Sequence, residues 1–400
     1  MRREGQTTRR ARDVRGTRGP RAAIALFAAL LVVAGGPSQA AAAEGPPPAP
    51  PPSAPSAIVI DRVTGRVLYG KGIHAKRPMA STTKIMTALL AIERLRKLER
   101  RLTAPSSVAH ISGIGLEPGD RITVRQALLG LMLKSAQDCG LTLACGVAGS
   151  ESRFVGLMNA RSRKIGLRDT RYRNSTGSHR DARHYSSVSD LSRLARIAMR
   201  NATFRDIVRR QHATIRWDGY KALEVTCNNL LLHWDWADGI KCGYTGAAGF
   251  CLVGAGQPGL RPFITATLAS PRRDQEARDH VALFQWASAL YEEKTVVTAG
   301  DVVASVPLTD GGEVRVAAKT ALTAVVRSAA PVRPTFTLPA SFSVRPADDT
   351  VVGSVVYLAD GVKLGTVRLV VVPAPPSPSP EATATGTTRA LAAAAPETGS

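Results

Sequence analysis

The chain has 400 residues, a formal net charge of +22 and only 5% aromatic residues. That length allows two folded domains. The scarcity of aromatics and the lack of any nucleic-acid-binding motif argue against nucleic acid as the partner of the basic surface. Five cysteines are too few for a disulfide scaffold, though their odd number leaves at least one free or paired outside the chain. Seven histidines scattered without an HExxH or CxxC pattern give no reason to expect a metal or cofactor.

Residues 1–21 carry eight arginines against Glu4 and Asp13, a net +6 of the +22, so +16 remains without them. An apolar run, Ala22 to Ala34, and small residues at Ser38 to Ala43 follow. This is the pattern of a secretory signal over residues 1–43, and the apolar run is short for a bilayer span. The mature chain is thus expected outside the cytoplasm. Its positive charge suits an anionic wall polymer or membrane surface. Residues 44–56 are rich in proline and read as an extended, unpacked linker.

Ala57 to Asp61 and Arg66 to Tyr69, around Thr64-Gly65, predict a β-hairpin. It leads into Ser81-Thr82-Thr83-Lys84, followed by apolar residues at nearly every position to Ile92. A helix apolar on all sides is buried. Ser81 and Lys84, three apart, share one face at its first turn. A lysine held in an apolar setting loses affinity for its proton, and a neutral amine beside a hydroxyl is a base beside a nucleophile. The plainer reading of Ser81 and Lys84 alone is an N-cap and a snorkelling side chain.

A second helix is predicted over residues 122–133, capped by Asp120, with a break at Lys134 to Asp138. Further helices follow over about 138–148 and 150–165, the last ending at Gly166. Residues 171–185 read as an irregular loop. Ser187 to Asp190 form a capping box for a helix over 191–199, with His184 and Ser186 in structural roles just before it. From Thr214 to Leu268 the pattern is strand-like. It includes a hairpin of residues 239–244 and 249–254 about a turn at Thr245 to Ala248. A helix over 274–292 closes this region. Residues 294–373 are valine-rich with short strands and predict a separate all-β domain. Residues 374–400, rich in Pro, Ser, Thr and Ala, predict a disordered tail.

Three polar clusters stand in order on this scaffold: Ser81-Thr-Thr-Lys84, Ser135-Ala-Gln137 and Lys241-Cys-Gly243. They parallel the S-x-x-K, S-D-N and K-T-G signature of penicillin-binding proteins and class A β-lactamases. More closely, the chain resembles the serine-type D-Ala-D-Ala carboxypeptidases among the low-molecular-mass penicillin-binding proteins. The resemblance spans about residues 57–293. It includes Pro78 to Thr87, Met158-Asn159, Ile165-Gly-Leu167, His184-Tyr-Ser186, Asp190-Leu191, Asn229-Leu-Leu231 and Asp238 to Thr245. It implies an α+β fold: a β-lactamase/transpeptidase-like catalytic domain over 57–293, with an antiparallel sheet and a helical subdomain, then the small all-β domain.

The resemblance also implies roles. Ser81 is the acylated nucleophile, Lys84 its base, and Ser135 a proton relay to the leaving D-alanine. Lys241 sets a positive field, and the N–H groups of Ser81 and Tyr244 form an oxyanion hole. The substrate carboxylate is read at Lys241, Cys242 and Gly243, with help from one of Arg272, Arg273 and Arg278. The implied ligands are the D-Ala-D-Ala end of peptidoglycan stem peptides and covalently bound penicillin. Two positions depart from the family's pattern. Gln137 stands for Asn, one methylene longer, and Cys242 stands for Thr, a weaker donor. Cys242 also falls opposite Cys251 if the hairpin turns at residues 245–248, where a disulfide would be strained. These departures keep two alternatives open, a catalytically impaired wall-peptide binder or scaffold, and a β-lactamase.

Overall fold

The computed structural model describes residues 47–178 and 181–373. The expected signal segment, the tail and residues 179–180 of the loop lie outside the described residues.

Strands β1 (Ser56–Asp61) and β2 (Val67–Lys71) form the first hairpin. The Asp61 carboxylate accepts the N–H groups of Val63 and Thr64 and so folds the corner. A tight turn, Ala80–Thr83, precedes α1 (Lys84–Leu95). Short β3 (Arg101–Thr103) and β4 (Arg121–Thr123) pair ahead of α2 (Val124–Leu129), which runs through a wider π-type turn, Gly130–Lys134. Helices α3 (Gln137–Ala148), α4 (Glu151–Lys164), α5 (Val188–Ala198) and α6 (Ala202–Val208) complete the helical part. Then come β5 (His212–Trp217) and β6 (Lys221–Thr226), a hairpin of their own, β7 (Ala237–Thr245), β8 (Gly249–Gly256), β9 (Phe263–Ser270) and α7 (Arg273–Ser288).

The main sheet is antiparallel, in the order β2-β1-β9-β8-β7. Alternate residues of a strand face opposite sides, and β1 uses both. Ile58 and Ile60 join the large core with α1 and α5, whereas Val59 packs with Leu283, Phe284 and Ala287 of α7. The sheet is thus covered on both faces.

Beyond it, β10 (Tyr291–Val297) pairs with β13 (Leu322–Arg327), and β11 (Val302–Pro307), β12 (Glu313–Ala318), β14 (Val332–Thr337), β15 (Val351–Ala359) and β16 (Val362–Val371) form a second sheet. This part has its own apolar core, built on Val314, Val316, Val355, Val367 and Leu369. Asp360 ties it to the first hairpin through Arg66, 2.7 Å away.

Several expectations need correction. The helix expected from Ile122 starts at Val124, because Thr123 caps it by accepting Gln126 N–H at 3.2 Å. Asp120 instead holds Lys221 and Trp217. The capping box at Ser187 is half formed. Ser187 Oγ accepts Asp190 N–H, but the Asp190 carboxylate turns to Asp169 N–H and Thr170. The final helix stops at Ser288, since Tyr291 to Glu293 enter strand pairing with β13. The proline-rich linker is packed from Pro47 onward. Trp286 donates to Pro47 O, Ser53 to Asp279, and Lys71 to Pro52 O, so a polyproline stretch without internal hydrogen bonds finds partners on α7 and β2.

Candidate active site

Ser81 lies in the tight turn before α1, not at a simple helix cap. Two neighbouring hydroxyls hold that turn. Thr82 Oγ1 donates to Met79 O at 2.6 Å and Thr83 Oγ1 to Ala80 O at 2.8 Å. His184 Nδ1 accepts Arg173 N–H at 3.0 Å, so its proton sits on Nε2 and is donated to Thr83 Oγ1 at 2.8 Å. His184 is therefore structural, as expected, but it acts on the turn that carries Ser81. Ala80 sits at φ +47°, a strained value for a non-glycine residue. Gly177 lies so close behind it that a Cβ there would strike the Ala80 carbonyl.

Lys84 Nζ is 3.0 Å from Ser81 Oγ and donates to Thr176 O at 2.6 Å. The side chain is 1% exposed. Burial, and secondly the neighbouring charge of Lys241, hold its pKa well below the ordinary lysine value. A neutral amine in this position has a lone pair aimed at a serine hydroxyl, the arrangement of base and nucleophile.

Ser135 follows the π-type turn in a left-handed conformation, φ +63°. Such turns are frequent at functional sites. It shares one cavity of about 290 Å³ with Ser81, Lys241, Cys242, Gly243 and Tyr244. Gln137 does not line this cavity. Its longer side chain reaches Ser112, with Nε2 donating to Ser112 Oγ at 3.0 Å and the backbone N–H to Ser112 O. Asp138 next to it accepts the N–H groups of Ile114, Gly115 and Leu116, pinning the loop that presents Ser112.

On β7, Lys241 is buried and donates to Cys242 O at 2.9 Å. The Cys242 thiol donates to Asn228 Oδ1 at 3.1 Å. All five cysteines are free. The hairpin register pairs Cys242 with Leu252 and Gly243 with Cys251, one residue from the expected pairing. Cys251 thus points to the opposite face, into the core. The slip arises because Thr245 pairs with Gly249, which takes the corner at φ +66°. Gly243 passes against the Ser81 turn, where a Cβ would sit 2.6 Å from Ser81 N. Tyr244 is exposed at the rim, its ring 4.5 Å from that of Phe250.

The structure separates the three candidate arginines. Arg273 lines the cavity and donates to Asn228 O at 2.5 Å. Arg272 and Arg278 both pair with Asp274 outside it. Asn228 and Glu276 also line the cavity, and sequence reasoning did not single them out as site residues. Burial pushes the Glu276 carboxyl up to about 8. A signal for it existed, since residues 276, 280, 283 and 287 recur at helical spacing on the buried stripe of α7.

A family model described as D-alanyl-D-alanine carboxypeptidase matches residues 42–271. A curated relative, the D-alanyl-D-alanine carboxypeptidase DacF of Bacillus subtilis, is 30% identical over 271 residues, covering 64% of this chain and 68% of its own. The solved Streptomyces K15 DD-transpeptidase is 29% identical, with a TM-score of 0.57 over 61% of this chain and all of its own (100%). Penicillin binding protein 5 from Haemophilus influenzae is 22% identical, with a TM-score of 0.59. It covers 81% of this chain and 97% of its own, a likeness of fold that extends into the C-terminal β-rich part.

Proposed function

The chain belongs to the D-alanyl-D-alanine carboxypeptidase family of serine peptidases, and from that premise we propose that it removes the terminal D-alanine of peptidoglycan stem peptides through an acyl-enzyme at Ser81. The observation that carries this reading is the 3.0 Å approach of buried Lys84 Nζ to Ser81 Oγ, with Lys84 within reach of the Lys241 charge and Ser81 and Lys241 both lining one cavity. Ser81 Oγ attacks the carbonyl carbon of the penultimate D-alanine, and its proton passes to Lys84 Nζ. The negative charge on the carbonyl oxygen is met by the N–H groups of Ser81 and Tyr244, with Lys241 adding a positive field. Collapse breaks the peptide bond, and the proton passes through Ser135 to the leaving amine. Water then attacks the ester as Lys84 and Ser135 take its proton, and that proton is delivered to Ser81 Oγ as the ester bond breaks and the peptide leaves as a carboxylate.

Arg273 and Lys241 supply the cations for the substrate carboxylate, with the Cys242 thiol in place of a hydroxyl. Penicillin, whose strained amide mimics the same bond, acylates Ser81. The basic segment and the apolar run of residues 22–34 act as an export signal, placing the enzyme outside the cytoplasm beside its substrate.

The test is mass spectrometry of the purified mature chain with penicillin, with Ser81→Ala in parallel, and D-alanine release from a pentapeptide. One adduct at Ser81 and measurable release are expected. Neither adduct nor release in the parent would sink the reading. A second reading is an impaired family member that binds wall peptide. It has its support in Gln137 turned to Ser112 and the Cys242 thiol engaged by Asn228. It requires unchanged peptide affinity in Ser81→Ala together with no activity in the parent.

A further inference from the structure

Away from the cavity, the first hairpin and α5 enclose a second cleft of about 350 Å³, walled by Arg193, Arg196 and Arg200 over the side chains of Ile58, Ile60 and Val67. Arg193 and Arg196 lie three residues apart on one face of α5, and Arg200 follows in the turn just past its end, so all three line the same cleft. Like charges at that spacing repel. One of them has a structural duty, since Arg196 donates to Arg62 O at 2.9 Å and Val63 O at 2.6 Å. Arg193 and Arg200 are exposed, and their side chains have neither a hydrogen bond nor an ion pair among the described residues. Arg200 is not needed as a helix cap, because Arg205 already donates to Met199 O at 2.7 Å. Asp61, whose charge reaches Arg196, is taken by Arg261 and Tyr291, and Asp190 on the same helix is taken by Asp169 N–H and Thr170. Burial and the two neighbouring arginines lower the pKa of Arg196, so the cluster is not neutralised from within.

We propose that this cleft binds successive phosphodiester groups of a linear polyol-phosphate polymer. Guanidinium groups in a row match phosphates bidentately, and the apolar floor suits the carbon backbone between them. The recess admits a thin chain and excludes a flat bilayer. No aromatic side chain lines it, so the stacking platform that single-stranded nucleic acid uses is missing. The choice of a wall polymer over nucleic acid rests on the proposed export.

The experiment is fluorescence anisotropy of end-labelled poly(glycerol phosphate) with the full mature chain. Arg193→Glu/Arg200→Glu is expected to weaken binding at least about 10-fold and to lower the salt slope by roughly 1.4, two contacts at about 0.7 each. Arg94→Glu/Lys164→Glu makes the same charge change at the separate cleft beside α1 and α4, and is expected to change affinity less than about twofold. Equal losses in both variants, or no loss in the first, would overturn the proposal. So would phosphatidylglycerol vesicles or oligo-dT binding with the same dependence on Arg193 and Arg200. Arg193→Gln/Arg200→Gln serves if charge reversal unfolds the chain, with thermal melting as the check on folding. Penicillin labelling of Ser81 is read separately, so failure of the catalytic reading and failure of this one are distinguishable.

Discussion

Gly243→Ala tests whether the close approach of β7 to the nucleophile's turn sets the reaction geometry. A Cβ at this position would stand 2.6 Å from Ser81 N and 3.1 Å from Ala80 Cβ. Ordinary contact is about 3.5 Å, so the larger shortfall is about 0.9 Å. The clashing atom is backbone and cannot swing aside. The turn is held by Thr82, Thr83 and His184, and β7 is held by its register with β8. One of the two must shift, and a misplacement near 1 Å at a reacting group is worth about 100-fold in rate. The strain costs about 1–3 kcal/mol of stability, too little to unfold a domain of this size. The assay is the second-order rate constant for acylation by a fluorescent penicillin, read alongside thermal melting. We expect acylation to fall about 100-fold with a folded protein. Gly246→Ala on the same hairpin, where no atom lies within 4 Å of the added Cβ, should leave the rate unchanged. A folded Gly243→Ala that acylates within threefold of the parent, about 0.7 kcal/mol, would refute the reasoning.

The depressed pKa of Lys84 predicts an acylation rate that rises with pH as Nζ loses its proton, with a midpoint well below 10.5. Lys241→Ala removes one cause of the depression, so the midpoint should move to higher pH; a midpoint that stays put contradicts the coupling. The same group makes stability rise with pH between its folded pKa and its unfolded value, because the unfolded chain binds more protons there. Glu276 has the opposite sign. With its carboxyl pushed up to about 8 from 4.5, the folded state holds the proton longer than the unfolded one. Its contribution is greatest below 4.5 and is lost as pH rises through about 8. Melting curves from pH 5 to 9 should therefore show Glu276→Gln gaining on the parent as pH increases. Cys242→Thr places a stronger donor at the proposed carboxylate subsite, and kcat/KM for a pentapeptide should rise about 10-fold, since a hydrogen bond to a charged group contributes about 1.5–3 kcal/mol. Arg273→Ala should raise KM at least about 10-fold, while Arg278→Ala, which touches only Asp274 and Gln275, stays within about twofold.

The parts of this site differ in how readily a sequence reveals them, and the difference follows range of interaction. Ser81 and Lys84 are three residues apart on one turn, so their pairing is local and was legible before any fold was known. The burial of α1 and the helix beginning near Ser150 were legible for the same reason. The Cys242 register is also a local matter but turns on one residue. Pairing Gly249 with Thr245 instead of Tyr244 sends Cys251 to the other face of the sheet, so it does not face Cys242 at all.

Gln137 and the arginines depend on partners that sequence spacing does not bring together. Gln137 is directed by Ser112, whose loop is fixed by Asp138, so the fate of one amide is decided 25 residues away. Arg273 is selected over its neighbours because Asp274 captures both Arg272 and Arg278 and leaves Arg273 to reach Asn228. The same logic explains the linker. Proline-rich composition predicts a chain without internal hydrogen bonds, but it says nothing of external partners, and the donors Trp286 and Lys71 and the acceptor Asp279 stand where the segment passes. What departs from the family's pattern at Gln137 and Cys242 is thus absorbed by neighbours outside the three motifs, Ser112 and Asn228. Under the proposed function, those two residues are where a change would first alter how a peptide is presented to Ser81.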